Sequence, residues 1–169
     1  MSLDEMDRKI IELLQEDAKM SAKEISGITG RPITTIYSRI KKLEESGVIK
    51  GYKATLDARK LDLSTTAFVL ATADISKIDL KKYPNYSLGS EIAKFPQVQE
   101  VFLISGNWDY LIKIKERSTE AVGEFIVNKL NYLPGMEKTL TCLVFRNIKE
   151  TLDLPIDIEN DLLSTDDGA

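Results

Sequence analysis

The chain contains no histidine and only one cysteine in 169 residues. The first absence removes histidine-based acid–base catalysis, histidine-containing triads and imidazole metal ligation. The second rules out an intrachain disulfide, so Cys142 stands alone and a reducing cytoplasm is the expected compartment. In that compartment the sequon-like run Asn85-Tyr86-Ser87 carries no glycosylation meaning. Long hydrophobic runs are also missing. The longest, around "AFVLATADI", falls far short of the ~20 residues a membrane helix needs, and no charged-then-apolar leader opens the sequence.

What is present fits a globular chain. A hydrophobic fraction of 43% and a charged fraction of 30% suit packed domains, and 169 residues allow one or two small ones. The net charge of -4 hides an uneven distribution. Residues 1–60 carry 12 basic and 10 acidic side chains, whereas residues 61–169 carry 11 and 17. Within 31–60 the count is 8 to 3, so an acidic chain concentrates cations on one stretch. Such a patch suits a localised polyanion contact, although many basic runs serve only solubility.

Helical spacing dominates the first fifty residues. Leu3, Met6, Ile10, Leu13 and Leu14 mark a first helix with Asp4 as its N-cap. Ser21 and Glu24 have capping-box spacing for a second, which turns Ile25 and Ile28 inward and ends at Gly30. Pro32 opens a third, whose Ile36, Ile40 and Leu43 form one stripe. Two helices joined by a tight glycine-containing turn make a helix-turn-helix. Thr34, Thr35, Ser38, Lys41 and Lys42 then point away from the stripe, with Tyr37 and Arg39 on its flanks. Short hydroxyls can approach base edges and the cations can reach phosphates, as on a recognition helix in the major groove. After Gly47, "VIKGYKATLD" predicts a strand, a turn at Gly51 and a second strand, a wing that offers Lys50 and Lys53 to the flanking backbone. An ordinary solvated helix and hairpin is the plain alternative.

The second half alternates strand and helix. Thr65–Ile75 reads as a strand, Leu88 to Phe95 as a helix stopped by Pro96, and Val98–Ser105 with Tyr110–Lys115 as a hairpin. Thr119–Tyr132 is an amphipathic helix stopped by Pro134-Gly135, and Met136–Ile148 is a last strand. The order β-α-β-β-α-β predicts an α+β fold in which a ferredoxin-like sheet carries both helices on one face. The expected domains are a winged helix-turn-helix over 1–56, a linker over 57–64, a ferredoxin-like domain over 65–150 and an acidic tail over 151–169. The linker leaves room for a short helix or strand. "KKYPNY", around Pro84, has no assignment. The acidic tail lacks the glycine and terminal glutamate of a calcium loop, so no metal is expected.

Four stretches together carry a resemblance. "LDEMDRKIIELLQEDAKMSAKEIS", "SRIKKLEESGVIKGYKATLD", "VFLISGNWDYLIKIK" and "LNYLPGMEKTLT" are similar, in order from Leu3 to Ile148, to the Lrp/AsnC (feast/famine) transcriptional regulators. The resemblance implies a DNA-binding N-terminal domain and a C-terminal domain that dimerises, often building tetramers or octamers, with an amino acid effector bound between dimers. It implies no enzyme activity and no cofactor. It also places Gly106, Asn107, Trp108 and Asp109 at an effector corner. There Asp109 would accept from the effector's ammonium and the amides of Gly106 and Asn107 would hold its carboxylate, with hydroxyls from Thr139 and Thr141. The chain departs from the family at three places. Asn107 stands for the usual aspartate, Trp108 for a smaller aromatic, and Ser38 for an arginine common on the recognition helix. The first two bear on effector preference and the third on the DNA sequence read. Two other readings share the architecture: a DNA-coating architectural protein of low specificity, and a siroheme decarboxylase-like enzyme, whose usual histidine chemistry this chain lacks.

Overall fold

Local capping sets the first two helices. Asp4 caps α1 (Glu5–Glu16): its carboxylate accepts from the Asp7 amide at 2.8 Å, and Asp7 returns the bond to the Asp4 amide at 3.2 Å. Ser21 and Glu24 make the same reciprocal pair at the start of α2 (Ala22–Thr29), which ends on Gly30 with φ 67°. That left-handed conformation costs glycine little and other residues more. Pro32 precedes α3 (Ile33–Glu45), whose first turn has no side-chain cap.

The computed structural model describes residues 3–78 and 87–156, which fall into two compact units. The first is built from the N-terminal residues through Thr55 together with the segment from Glu150 onward; the second is Leu56–Lys149. Among the described residues no helix is long and apolar enough to cross a membrane. "KKYPNY" with Pro84, and the tail beyond Ile156, lie outside the described residues.

In the first unit Ile10, Leu13, Leu14, Ile25, Ile36 and Leu43 form the core, with Ile40 partly buried against it. The Ile36/Ile40/Leu43 stripe therefore faces α1 and α2 as the spacing predicts. Ile28 does not follow Ile25 inward. It is 56% exposed, because it sits in the last turn of an eight-residue helix. The expected strands of the wing do not form either. Residues 50–57 run without regular structure. Tyr52 and Leu56, the large apolar side chains available to a hairpin there, are both exposed, and a two-stranded ribbon without a covered face is marginal in water. Tyr52 instead donates its hydroxyl to Glu44 at 2.9 Å, holding this segment to the end of α3.

The second unit opens with a 3₁₀ turn at Ala58–Leu61, capped by Asp57 and closed by Asp62 at φ 59°. It continues as β1 (Thr65–Ala73), α4 (Leu88–Ile92), β2 (Val98–Leu103), β3 (Tyr110–Glu116), α5 (Thr119–Asn128) and β4 (Met136–Leu143). The strands form one antiparallel sheet in the order β2-β3-β1-β4, the ferredoxin-like arrangement. One face buries Ala67, Val69, Ala71, Ile112 and Ile114 beneath Ile92, Val122, Phe125 and Leu130 of the helical layer. Phe95 meets Phe125 edge-on at 5.2 Å. β4 ends at Leu143 rather than Ile148. Val144 makes one more backbone bond, to Thr66, and β1 itself begins at Thr65, so the partner strand has run out.

Candidate DNA interface and effector corner

α3 has two unlike sides. Ile36 and Leu43 are fully buried, while Thr34, Tyr37, Ser38, Lys41 and Lys42 are exposed and Thr35 is half-buried. Ser38 donates its hydroxyl to the Thr35 carbonyl at 2.9 Å, which leaves its lone pairs outward as acceptors. Lys41 lies 3.6 Å from Glu45, an exposed i,i+4 pair of small energy. Lys50 and Lys53 are exposed on the segment held by Tyr52.

Arg39 is placed differently from the other cations. Its Nη1 donates to both Asp4 oxygens at 2.8 and 2.6 Å and to Asp7 at 2.7 Å, binding α3 to the cap of α1. Asp7 is only 5% exposed, so the guanidinium compensates a buried carboxylate. The bond from Arg39 is the main reason the Asp4 carboxyl lies below its ordinary value. The partners are 35 and 32 residues away in sequence, and helical spacing alone gave no sign of them. Beside this cluster a groove of about 980 Å³ runs past the start of α1, the end of α2 and the start of α3, its wall of mixed charge, with Arg8, Lys9, Arg31 and Arg39 set among Asp4, Glu5 and Glu12.

The corner between β2 and β3 is pinned to the sheet by Asp109. Its Oδ2 accepts from the Ala73 amide at 2.7 Å, its amide donates to the Ala71 carbonyl at 2.9 Å, and its carbonyl accepts from Ile104 at 2.8 Å. Gly106, with φ 114°, allows the tight reversal, and both it and Asn107 are exposed. Trp108 is half-buried with Lys138 Nζ 4.8 Å from its ring centre. Sequence reasoning missed Lys138. It stands opposite Thr72 near the end of β1, a cross-strand placement that no short motif reports. Thr139 faces Ala71, the residue Asp109 holds, and donates to Asn131 Oδ1 at 3.2 Å. Thr141 faces Val69 two positions further along β4. The fold thus gathers Gly106, Asn107, Trp108 and Asp109 at one sheet end with Lys138 and Thr139 nearby, while Thr141 lies further in.

The face of the sheet opposite the helices carries an apolar row. Phe102, Leu111, Leu70 and Leu140 are successive cross-strand partners over all four strands. Phe102 and Leu140 are each 47% exposed. The next row is Glu100, Lys113, Phe68 and Cys142, with Lys113 bonded to Glu100 at 3.1 Å.

Comparison with known proteins agrees with both halves. Residues 3–50 match the winged helix-turn-helix DNA-binding family, and residues 75–154 match the Lrp/AsnC ligand binding domain. The chain is 41% identical to the HTH-type transcriptional regulator FL11 of Pyrococcus horikoshii over 91% of this chain and 97% of that protein. It is 35% identical to the transcriptional regulator AzlB of Bacillus subtilis over 92% and 96%. A transcriptional regulator from Neisseria meningitidis, solved as a complex with L-Met, superposes with a TM-score of 0.84 at 26% identity, over 92% of this chain and 98% of that one. With a helix-turn-helix at one end and an effector-type ferredoxin-like domain at the other, the chain belongs to the Lrp/AsnC family of transcriptional regulators.

Proposed function

We propose that the chain is a sequence-specific DNA-binding regulator that works in the cytoplasm and whose assembly or DNA binding responds to an amino acid. The observation that carries this reading is the two-sidedness of α3, whose Ile36 and Leu43 are fully buried beneath an outer side of hydroxyls and lysines. Thr34, Thr35 and Ser38 read base edges, and Tyr37, Lys41 and Lys42 contact the backbone with help from Lys50 and Lys53. The uncapped first turn of α3 adds backbone amides that suit a phosphate. Arg39 serves as the joint between α3 and α1 rather than as a phosphate ligand.

The apolar row of the open sheet face fits a second copy of the chain, forming a two-fold dimer. Two α3 helices would then read half-sites about one helical turn, or a multiple of it, apart. Further association to tetramers or octamers would bring effector corners together. In the corner, Asp109 Oδ1 accepts the effector's ammonium, while the Gly106 and Asn107 amides and Lys138 take its carboxylate. Thr139 and Thr141 contribute hydroxyls. The neighbour solved with L-Met supports an amino acid as the class of ligand.

The test combines footprinting of genomic DNA with titration against random duplex, each with and without an amino acid mixture. A preference of about 10³-fold or more for recovered sites indicates a specific regulator. Equal affinity for every duplex would instead indicate an architectural coating protein. Calorimetry that detects no amino acid binding at millimolar concentration would remove the effector assignment.

A further inference from the structure

The segment from Glu150 to Ile156 belongs to the first unit and lies along one face of α1. The side-chain amide of Gln15 clasps the backbone of Leu154. Leu154 N–H donates to Gln15 Oε1 at 2.7 Å, and Gln15 Nε2 donates to the Leu154 carbonyl at 3.0 Å. Two turns nearer the helix start, Arg8 Nη1 donates to the Ile156 carbonyl at 2.7 Å. Because Leu154 sits at Gln15 and Ile156 at Arg8, the segment runs antiparallel to α1, toward Asp4. Apolar burial adds little, since Leu152 is 86% and Leu154 72% exposed, with Ile156 half-buried. The polar clasps at Gln15 and Arg8 set its course.

This direction matters because Arg8 lines a groove of mixed charge that reaches Arg31 and Thr35 at the start of α3. Arg8 thus ties Ile156 to a residue of the groove wall. The thirteen residues after it, 157–169, hold five carboxylates (Asp157, Glu159, Asp161, Asp166, Asp167) and no lysine or arginine. Residues 31–55, which include α3, hold six basic and two acidic side chains, a balance of +4. At ~3.3 Å per residue, thirteen residues reach up to about 43 Å, roughly twice the ~20 Å length of a thirteen-residue helix.

We propose that residues 157–169 dock on the cationic outer side of α3 of the same unit and compete there with DNA phosphates. This rests on the DNA-binding reading given above. Each exposed pairing is weak, but the clasps at Gln15 and Arg8 hold the tail at an effective concentration in the millimolar range. The tail then lowers affinity for every duplex without altering which sequence is preferred, and salt weakens its effect.

The test titrates a fluorescent random-sequence duplex with four full-domain proteins at low and at raised salt. They are the intact chain, a chain ending at Ile156, a tail-neutralised chain (Asp157→Asn, Glu159→Gln, Asp161→Asn, Asp166→Asn, Asp167→Asn) and Gln15→Leu. The shortened and neutralised chains are expected to bind about five-fold tighter at low salt, with the gain shrinking toward unity as salt rises. Gln15→Leu keeps every charge and is expected to recover part of the gain by loosening the clasp. Equal affinity of the intact, shortened and neutralised chains overturns tail docking while leaving DNA binding in place. A gain on shortening with none for Gln15→Leu overturns the clasp as its anchor. If none of the four binds duplex, the DNA-binding reading falls and the tail proposal falls with it.

Discussion

At the scale of single residues, the cations of the first unit divide into two kinds, and their mutants should separate cleanly. Lys41→Ala and Lys42→Ala each remove an exposed charge from the outer side of α3. Each is expected to weaken binding to all duplexes and to lower the slope of log affinity against log salt by about 1. Changes at Thr34, Thr35 or Ser38 should instead shift the preferred sequence, as selection from a randomised duplex pool would report. Arg39→Ala should behave unlike both lysine variants. It leaves the buried Asp7 carboxylate uncompensated, so denaturant unfolding should show a loss of about 2 kcal/mol, with the salt slope for DNA nearly unchanged. The same cluster fixes an acid response. Asp4 sits below its ordinary value chiefly through the Arg39 bond, so its contribution is complete above the usual aspartate range and disappears as pH falls through the lowered value. Stability from this pair should stay level from pH 7 to about 5 and fall below about 4, a fall that Arg39→Met should reduce in denaturation series at each pH.

At the scale of elements, the sequence was most legible where a few neighbouring residues decide the outcome. The cap at Asp4, the box at Ser21–Glu24 and the left-handed Gly30 are local devices, and each sits where spacing places it. The alternation along β3 likewise marks its buried face. Legibility fails where a partner is remote or missing. The segment after Gly47 has strand-like composition but no covered face, and β4 stops where β1 begins. The contacts of Arg39, Lys138 and Gln15 are illegible in sequence because their partners lie far along the chain or across the sheet. The segment after α3 offers its own test. Although the Tyr52 ring is exposed, partial desolvation at the hydroxyl, aided by the bond to Glu44, pushes it up to about 12. The raised value means the neutral, donating form is favoured by folding: its contribution is whole below about 10 and is lost as pH rises through about 12. Spectrophotometric titration of the six tyrosines should show one late step that is absent from Tyr52→Phe.

At the scale of the molecule, the open sheet face is an apolar feature that the second unit itself leaves uncovered. The row from Phe102 to Leu140 crosses every strand, so charges there should act on assembly more than on the fold. A Phe102→Lys/Leu140→Lys double variant is expected to sediment as a monomer with an unchanged far-ultraviolet spectrum. Its DNA affinity should drop steeply, since each half-site would be bound alone. A dimer that survived both charges would move the interface elsewhere. That apolar row was not read from sequence, because it emerges only once four separate strands are set in register.

The chain passes from the first unit to the second at Leu56 and comes back at Glu150. A protease that nicks the backbone beside Arg59 or Lys60 would therefore not set the amino-terminal fragment adrift. Its Gln15 and Arg8 would still be fastened to residues carried by the other fragment. The two pieces should travel together for as long as that attachment holds.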